Sequence, residues 1–428
     1  MGNCNISNLY CTKKIDFTKE PLFFGSGKNT QRFDILKYKF FDDNNETQLG
    51  FFWRPDEIKL TKDAVHLKKL KDNEKWILTK VLQKLIFLDS LQGRGPMLTF
   101  AQITTLPEVE NCILTWDFFE GSIHSRSYSH ILQDVYPEPD KIFDQTFEID
   151  ILMEHAKNIS KYYNELYDLV IQYQFYKSQG ELTESLQSNI EFQLKNRLKD
   201  IEVDSDMKDK IVSIYIDTLR DVLSSYNIDD DKEFMKKIKK SIVLALANVN
   251  ILEGIRFYSG FASVWALTEG QGYIPGISNI LKLICRDENV HLALTQNFLK
   301  ILARNEDEGF SEIFKEVESE IYDMYKEAVE QEFEWADYLY SKGGIIGMNA
   351  QITKDYLKYI CNRRLKAIGL KHIFPSHTKN PIPWINSWIE EAEIEDTPQE
   401  TEITDYVQGG IDMGDDIDDL SEYSDIFK

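Results

Sequence analysis

Apolar residues recur every three or four positions along most of the chain, which is the spacing of one face of an α-helix. Between Glu74 and Leu91, for example, the apolar positions are Ile77, Leu78, Val81, Leu82, Leu85 and Leu88. Prolines, glycines and short polar runs separate these stretches. The pattern predicts an all-α fold with helices at about 74–91, 108–135, 147–173, 236–267, 279–303, 310–341 and 350–368.

Composition divides the chain into three parts. Residues 1–50 are predicted to form an N-terminal arm with short elements, residues 51–375 the helical domain, and residues 376–428 an extended tail. Within the domain, residues 167–239 are interpreted as a helical elaboration, because amphipathic spacing there predicts two more helices. Nothing in that elaboration indicates chemistry.

The tail is strongly acidic. From Glu390 to Lys428 there are fifteen Asp or Glu residues and one Lys, which contributes −14 to the formal net charge of −23. Such a segment is expected to be disordered when free. Its apolar residues at 417–427 are typical of a segment that folds onto a partner's groove. The acidic excess argues against a nucleic-acid-binding surface.

The five cysteines are odd in number and show no CxxC spacing, which predicts reduced thiols. We find no secretory signal in the sequence, and we expect no apolar span of about 18 residues that could cross a membrane. These features predict a cytoplasmic protein without a membrane partner.

The first indication of chemistry is a Glu/His pair in an apolar stretch. Glu288 and His291 are three residues apart and therefore share one face of a helix. A single pair of this kind is weak evidence, because chance copies are common. However, Glu253 lies in another apolar stretch, 35 residues before Glu288. That interval fits one helix, a turn and the next helix.

The same arrangement occurs earlier in the chain, as Asp89 followed 31 residues later by Glu120 and then by His124. Buried acids are costly unless they are neutralised, and four carboxylates match two divalent cations in charge. The oxygen and nitrogen ligands favour iron or manganese over a closed zinc site. Taken alone, Asp89 could equally cap its helix. His130 faces another direction from His124 and is predicted to be no ligand.

Several strings resemble those of the small (beta) subunit of class I ribonucleotide reductase, over about residues 15–166 and 240–428. Together these strings are highly specific. They are KEPLFFG at 19–25, FFWRP at 51–55, LDSLQGR at 88–94, HSRSY at 124–128, EGIRFY at 253–258, RDE with a following His at 286–291, and NPIPWIN at 380–386.

The resemblance implies a ferritin-like helical bundle that holds two iron ions per chain (Fe–O–Fe), with manganese as the alternative ion. One ion would be bound by Asp89, Glu120 and His124, and the other by Glu253, Glu288 and His291. Tyr128 matches the tyrosine that carries the family's radical, and its apolar pocket would be formed by Phe257, Phe261 and Ile284. Without the family, the alternative for Tyr128 is a buried, hydrogen-bonded tyrosine.

The resemblance also implies a route for the oxidising equivalent to a separate large subunit. Trp53 would be linked through Asp287 to His124, and Tyr406 would continue the route in the tail, which would dock on the large subunit. Without the family, Trp53 would be an ordinary core aromatic. Acidic residues near the subunit junction are matched by Glu57 and Glu400. A homodimer is expected from the same resemblance.

One departure from the family affects the site itself. The family spaces its first pair as Glu-x-x-His, whereas Glu120 and His124 are separated by three residues. A π-bulge, which is common at functional sites, could absorb the extra residue. We therefore predict a helix distortion near 119–123 and retain both ligands. The alternative is that Glu120 is displaced and the first metal site is weakened.

These observations predict the radical-generating subunit of ribonucleotide reductase, an oxidoreductase. Another di-iron oxidase, such as a fatty acyl desaturase, is the second hypothesis, and it would not need Tyr128, Trp53 or a docking tail. A ferritin-like iron store or a metal-free helical scaffold is the third, and no activity would then depend on Tyr128.

Overall fold

The computed structural model of the chain describes residue 6 and residues 9–178, 184–199, 204–225, 228–305 and 308–394. The predicted disorder beyond residue 394 and the predicted roles of Glu400 and Tyr406 concern residues outside these ranges. The first part of the predicted extended tail lies within them, and the prediction is wrong there, because Ile385–Ile394 form a helix that packs against the helix Pro275–Arg304. All named elements of the described residues are helices, as the apolar spacing predicted. They are α1 Lys39–Gly50, α2 Thr61–Lys69, α3 Asp72–Gln92, α4 Gly95–Leu98, α5 Phe100–Ile103, α6 Pro107–Phe118, α7 Ser125–Val135, α8 Pro139–Thr146, α9 Asp150–Ser178, α10 Glu184–Arg197, α11 Ser205–Ser225, α12 Lys232–Ile251, α13 Phe257–Gln271, α14 Pro275–Arg304, α15 Phe310–Leu339, α16 Ala350–Ala367 and α17 Ile385–Ile394.

Two of the predicted helices are interrupted by π-helical turns. Phe119–His124 joins α6 to α7, and Leu252–Arg256 joins α12 to α13. Around these joined helices, α13 packs against α3, and α12 packs against α9, α14 and α15. One apolar core extends through this bundle. The helices predicted in the elaboration are α10 and α11, which pack against each other.

The N-terminal arm contains more regular structure than its composition indicated. Residues 39–50 form α1, which packs along α6 and buries Phe41 completely. Cys112, Cys285 and Cys361 are free thiols, as predicted. Cys11 is disulfide-bonded, so the prediction of reduced thiols is wrong at this position.

One helical run, Lys232–Gln271, is long and apolar enough to cross a membrane, contrary to our expectation that no such span exists. Its most apolar window is entirely buried inside the protein. Core helices of a large bundle are apolar on every side for this reason. This run therefore belongs to the core.

The helix that carries Glu288 and His291 begins against a buried carboxylate. Asp63 accepts hydrogen bonds from the backbone N–H groups of Gly276 (3.2 Å) and Ile277 (2.8 Å) in the first turn of α14. Free N–H groups at a helix start attract negative charge. Asp63 thus fixes the start of α14 relative to α2.

An ion pair inside the core ties α3, which carries Asp89, to α15. Lys84 and Glu332 contact each other, and neither side chain is exposed. Ser259 of α13 also donates to the Glu332 carboxylate at 2.8 Å and lies 3.0 Å from Lys84 Nζ. Three helices that surround the site are therefore joined by one buried polar cluster.

We predict that Glu332→Ala lowers the free energy of unfolding by about 3–5 kcal/mol, because it leaves the Lys84 ammonium buried without its counter-charge. Urea unfolding followed by circular dichroism measures this change. Glu316 is the matched control, because its pair with Lys236 is about half exposed. Glu316→Ala should cost less than about 1 kcal/mol. Equal costs for the two variants would contradict the prediction.

Candidate metal centre

The six predicted ligands lie together in the middle of the bundle. Asp89 comes from α3, Glu120 and His124 from the first π turn, Glu253 from the second, and Glu288 and His291 from α14; every one of these side chains is fully buried. They form two groups of four that share Glu120 and Glu288. Within each group, one ligand atom from every residue lies within 4.8 Å of the others. This arrangement fits two ions with carboxylates between them.

The two imidazoles point into the cluster. His124 Nδ1 lies 3.1 Å from Glu120 Oε2, 3.3 Å from Asp89 Oδ1 and 3.3 Å from Glu288 Oε1. His291 Nδ1 lies 2.8 Å from Glu120 Oε1 and 3.5 Å from Glu288 Oε2. The carboxylates of Glu120 and Glu288 therefore each face both histidines, as bridging ligands would.

Buried oxygen atoms without hydrogen-bond partners show where cations fit. Within the cluster, these atoms are Asp89 Oδ1, Glu253 Oε2 and both carboxylate oxygens of Glu288. An orphaned buried acceptor is costly, so a cation is the simplest way to satisfy four of them in one place. The other oxygen of Glu253 is occupied: it accepts from Trp116 Nε1 (3.1 Å) and Gln92 Nε2 (2.8 Å).

The crowding of buried carboxylates changes the pKa values of the cluster residues. Burial raises the pKa of Asp89 to about 8, against the opposing effect of His124. Burial, with the charges of Glu288 and Glu120, also raises the pKa of Glu253 well above its usual value. For His291, burial lowers the pKa, but the carboxylates of Glu120 and Glu288 outweigh it and raise the pKa to about 9. Without ions, the site therefore retains protons, and divalent cations would displace them.

The extra residue between Glu120 and His124 is absorbed by the π turn Phe119–His124, which confirms the predicted distortion. The Glu120 carboxylate faces His124 and belongs to both groups of four, so the alternative of a displaced Glu120 is excluded. Ser125 stabilises the turn, because its hydroxyl donates to the Glu120 carbonyl oxygen at 3.1 Å.

Two glycines allow the π turn to lie against the end of α3. A Cβ on Gly93 would lie 2.8 Å from Cα and 2.9 Å from N of Gly121, and a Cβ on Gly121 would lie 3.2 Å from the Gly93 carbonyl oxygen. The two backbones therefore meet at a distance that side chains would not permit. Gly93 N–H also donates to the Asp89 carbonyl oxygen at 2.8 Å, which connects this contact to a ligand.

The second π turn, Leu252–Arg256, was not predicted from the sequence. The Arg364 Nε–H of α16 donates to the Gly254 carbonyl oxygen at 3.1 Å, next to Glu253. A Cβ on Gly254 would lie 2.9–3.0 Å from the Arg364 side chain. The only sequence signal was a glycine inside an apolar helical stretch, and it does not identify Arg364.

Tyr128 lies one helical turn after His124 and is fully buried. Its hydroxyl donates to Asp89 Oδ2 at 2.6 Å. Burial and the nearby Asp89 carboxylate raise the pKa of Tyr128 well above its usual value, so the phenol keeps its proton at neutral pH.

On the other side of the cluster, Trp53 Nε1–H donates to Asp287 Oδ2 (2.8 Å), and the same oxygen lies 3.2 Å from His124 Nε2.

Comparison with known proteins gives one consistent result. The family model for the ribonucleotide reductase small chain matches residues 32–189 and 193–381. The chain belongs to the ribonucleotide reductase small-chain family. The beta subunit of ribonucleoside-diphosphate reductase from Haemophilus influenzae is 36% identical over 97% of this chain and 98% of that protein. The corresponding subunit of phage T4 is 31% identical over 97% of each chain.

A solved structure of this family confirms the ferritin-like bundle. The ribonucleotide reductase R2 subunit from Clostridium botulinum superposes with a TM-score of 0.66 at 29% identity, over 89% of this chain and 98% of that one. As a ribonucleotide reductase small chain, this protein is an oxidoreductase subunit. Among the residues that sequence analysis considered, His130 lies outside the cluster and contacts the Ile58 carbonyl oxygen instead.

Sequence analysis missed the residues that orient Glu253. Trp116 Nε1 lies 3.3 Å from Glu120 as well as 3.1 Å from Glu253, and Gln92 receives a hydrogen bond from the buried Tyr163 hydroxyl at 2.9 Å. Trp116 lies four residues before Glu120, which places it one helical turn away. That spacing could have indicated Trp116, but no sequence signal connects Tyr163 to Glu253 in this small-chain protein.

We predict that Gly93→Ala lowers the number of metal ions bound per chain, because the new methyl group meets backbone atoms of Gly121 and must move Asp89 or Glu120. Metal analysis after equilibrium dialysis against Mn²⁺ measures this number, and the clash should also cost about 1–3 kcal/mol in unfolding. Gly50→Ala is the matched control, because a Cβ at that helical position meets no atom within 4 Å. Unchanged metal binding by Gly93→Ala would refute the role of the glycine contact.

Proposed function

We propose that this chain generates a stable radical on Tyr128 and passes the oxidising equivalent to a large subunit, where ribonucleotides are reduced to deoxyribonucleotides. The observation that carries this proposal is the hydrogen bond from the Tyr128 phenol to Asp89, a residue of the buried carboxylate and histidine cluster. Membership in the small-chain family supports the reaction.

The cluster would hold two ions. Asp89, Glu120 and His124 would bind one, Glu253, Glu288 and His291 the other, and the oxygens of Glu120 and Glu288 would be shared. We propose iron, because carboxylate and imidazole ligands suit it, with manganese as the alternative ion. Two such ions, with dioxygen, would supply the one-electron oxidant.

The chain's own residues prepare Tyr128 for oxidation. A phenol that loses one electron becomes strongly acidic, and Asp89 Oδ2, 2.6 Å away, is positioned to receive its proton. Complete burial of Tyr128 keeps water and reductants from the radical. Phe257, Phe261 and Ile284 are also fully buried, which supports their assignment to an apolar pocket.

Trp53 and Asp287 would connect the cluster to the large subunit. Asp287 accepts from the Trp53 indole and contacts His124 Nε2, so it can both orient the imidazole and receive the indole proton when Trp53 is oxidised. Arg286 fixes this region, because its guanidinium donates to the Phe51 carbonyl oxygen at 2.6 Å. Other di-iron oxidases would not need this connection.

The other proposed residue roles and the proposed subunit contacts follow from membership in the family. Tyr406 would continue the route in the acidic tail, whose end would dock on the large subunit, and Glu57 and Glu400 would lie near that junction. We propose a cytoplasmic homodimer for the assembled small chain. We propose the domain limits as an arm at 1–50, the metal-binding domain at 51–375 with its elaboration at 167–239, and the tail at 376–428, of which residues 385–394 are helical.

We predict that Tyr128→Phe retains about two metal ions per chain but shows no tyrosyl radical. The test is electron paramagnetic resonance after anaerobic loading with ferrous iron and exposure to air, beside metal analysis. Loss of the hydrogen bond to Asp89 should change stability by only about 1 kcal/mol. Tyr325→Phe is the control, because this buried tyrosine donates to Asn250 (2.8 Å), outside the cluster.

A radical of unchanged spectrum in Tyr128→Phe would show that the radical lies elsewhere. Two ions without any radical in the unaltered protein would favour another type of di-iron oxidase. Binding of about one ion per chain would contradict the shared-ligand arrangement.

We also predict that Trp53→Phe keeps the Tyr128 radical but loses nucleotide reduction in the presence of the large subunit, because phenylalanine has no indole N–H for Asp287 and is much harder to oxidise. Radical content and deoxyribonucleotide formation are measured on the same samples. Trp76→Phe is the matched control, because its indole donates to the Leu339 carbonyl oxygen (3.1 Å). Normal turnover by Trp53→Phe would eliminate this residue from the route.

A further inference from the structure

A surface pocket of about 650 Å³ lies where the metal-binding helices meet α17, the last described helix. Its walls come from the segment that follows Trp53, from the start of α2, from the ends of α13 and α14 that face each other, and from Trp388 of α17. Trp388 is held in place by the buried Trp265 of α13, with parallel rings 5.5 Å apart, and by a hydrogen bond from its indole to Glu269 (3.2 Å).

The pocket is basic, although the protein as a whole is strongly acidic. Lys59, Lys62 and Lys282 line it, and Glu57 is the one acid among its lining residues in the described part of the chain. Lys59 and Lys62 are exposed, and neither forms an ion pair with a described residue. Asn279 adds an amide group that can donate a hydrogen bond to a carboxylate oxygen.

The same chain contains a segment of complementary charge. Residues 395–408 contain five acids and no Lys or Arg. They follow directly after α17, whose Trp388 forms part of the pocket wall. Fourteen extended residues can span up to about 45–50 Å, so the pocket is within easy reach. A short tether of this kind gives an effective concentration in the millimolar range, which favours contacts within one subunit over contacts with a second copy.

We propose that residues 395–408, whose composition predicts disorder when they are free, contact the lysine-lined pocket of their own subunit in a fraction of the molecules before the large subunit binds. The end of the tail, with its apolar residues, is left to bind the partner. Docking would hold the segment that contains Tyr406 at the surface that includes Glu57 and Ile58, four and five residues after Trp53, and so keep the two ends of the proposed route close. The functional consequence of docking rests on the proposed function, whereas docking itself does not require a radical.

The test is carbodiimide cross-linking of the full-length, metal-loaded protein without large subunit, followed by mass spectrometry. This reagent joins a lysine amine to a carboxylate in direct contact. We expect links from Lys59 or Lys62 to acids within 395–405, and their loss at high salt because the contacts are exposed ion pairs. Mixing unlabelled and ¹⁵N-labelled protein shows whether a link lies within one chain.

Two matched double variants each replace two lysines by glutamates, one pair around the start of α2 and one pair at its end. Lys59→Glu with Lys62→Glu should abolish the links to the tail segment. Lys68→Glu with Lys69→Glu, at the far end of α2, should leave them unchanged, because both lysines are exposed and lie outside the pocket. Lys62 lies in the first turn of α2, where glutamate is favourable, so the pocket variant is expected to fold.

Three outcomes would overturn the proposal. They are no links from the pocket lysines, links of mixed isotope composition, which would assign the segment to a second copy, and links that form only when the large subunit is added. Radical content is measured on the same samples by electron paramagnetic resonance. Absent links with an intact radical would refute docking alone, whereas an absent radical with intact links would refute the proposed function alone.

Discussion

Four carboxylates buried together without enough permanent positive charge are the constraint on which this structure depends. Asp89, Glu120, Glu253 and Glu288 are completely buried, and only two histidines accompany them. Such a group is unfavourable in a low-dielectric core unless protons or cations neutralise it. The bundle surrounds the cluster with helices held together by apolar contacts and by buried polar links such as Lys84 with Glu332, so the carboxylates cannot move apart to reach water.

Backbone geometry adapts to this constraint at two places. Each of the two joined helices makes a π turn at a ligand, and in each turn a glycine follows the glutamate, Gly121 after Glu120 and Gly254 after Glu253. In a π turn the backbone hydrogen bonds span five residues. Side chains add further hydrogen bonds here: the Ser125 hydroxyl donates to the Glu120 carbonyl oxygen, and Arg364 donates to the Gly254 carbonyl oxygen. The distortion is therefore stabilised locally while it turns the carboxylates inward.

The two ring nitrogens of His124 face different groups. Its Nδ1 faces the carboxylates, including Asp89, which binds Tyr128, whereas its Nε2 faces Asp287, which binds Trp53. One imidazole thus links the place where a radical would be stored to the place where it would leave. Trp53 precedes Glu57 and Ile58 of the basic pocket by four and five residues, so the proposed exit is a short stretch of chain away from that pocket.

The sequence by itself determined the helices and indicated the six residues that meet in the cluster, because apolar periodicity and the spacing of Glu and His are local properties. The need for a distortion beside Glu120 followed from comparing its spacing with that of the resembled family. It did not indicate the second π turn, the contact of Gly93 with Gly121, or the hydrogen bonds that Trp116, Gln92 and Arg364 direct to the ligand helices. Periodicity shows which face of a helix is buried but not what it packs against. Gln92 and Glu253 are 161 residues apart, and only the packing of α3 against α13, which continues from the second π turn, decides that they meet.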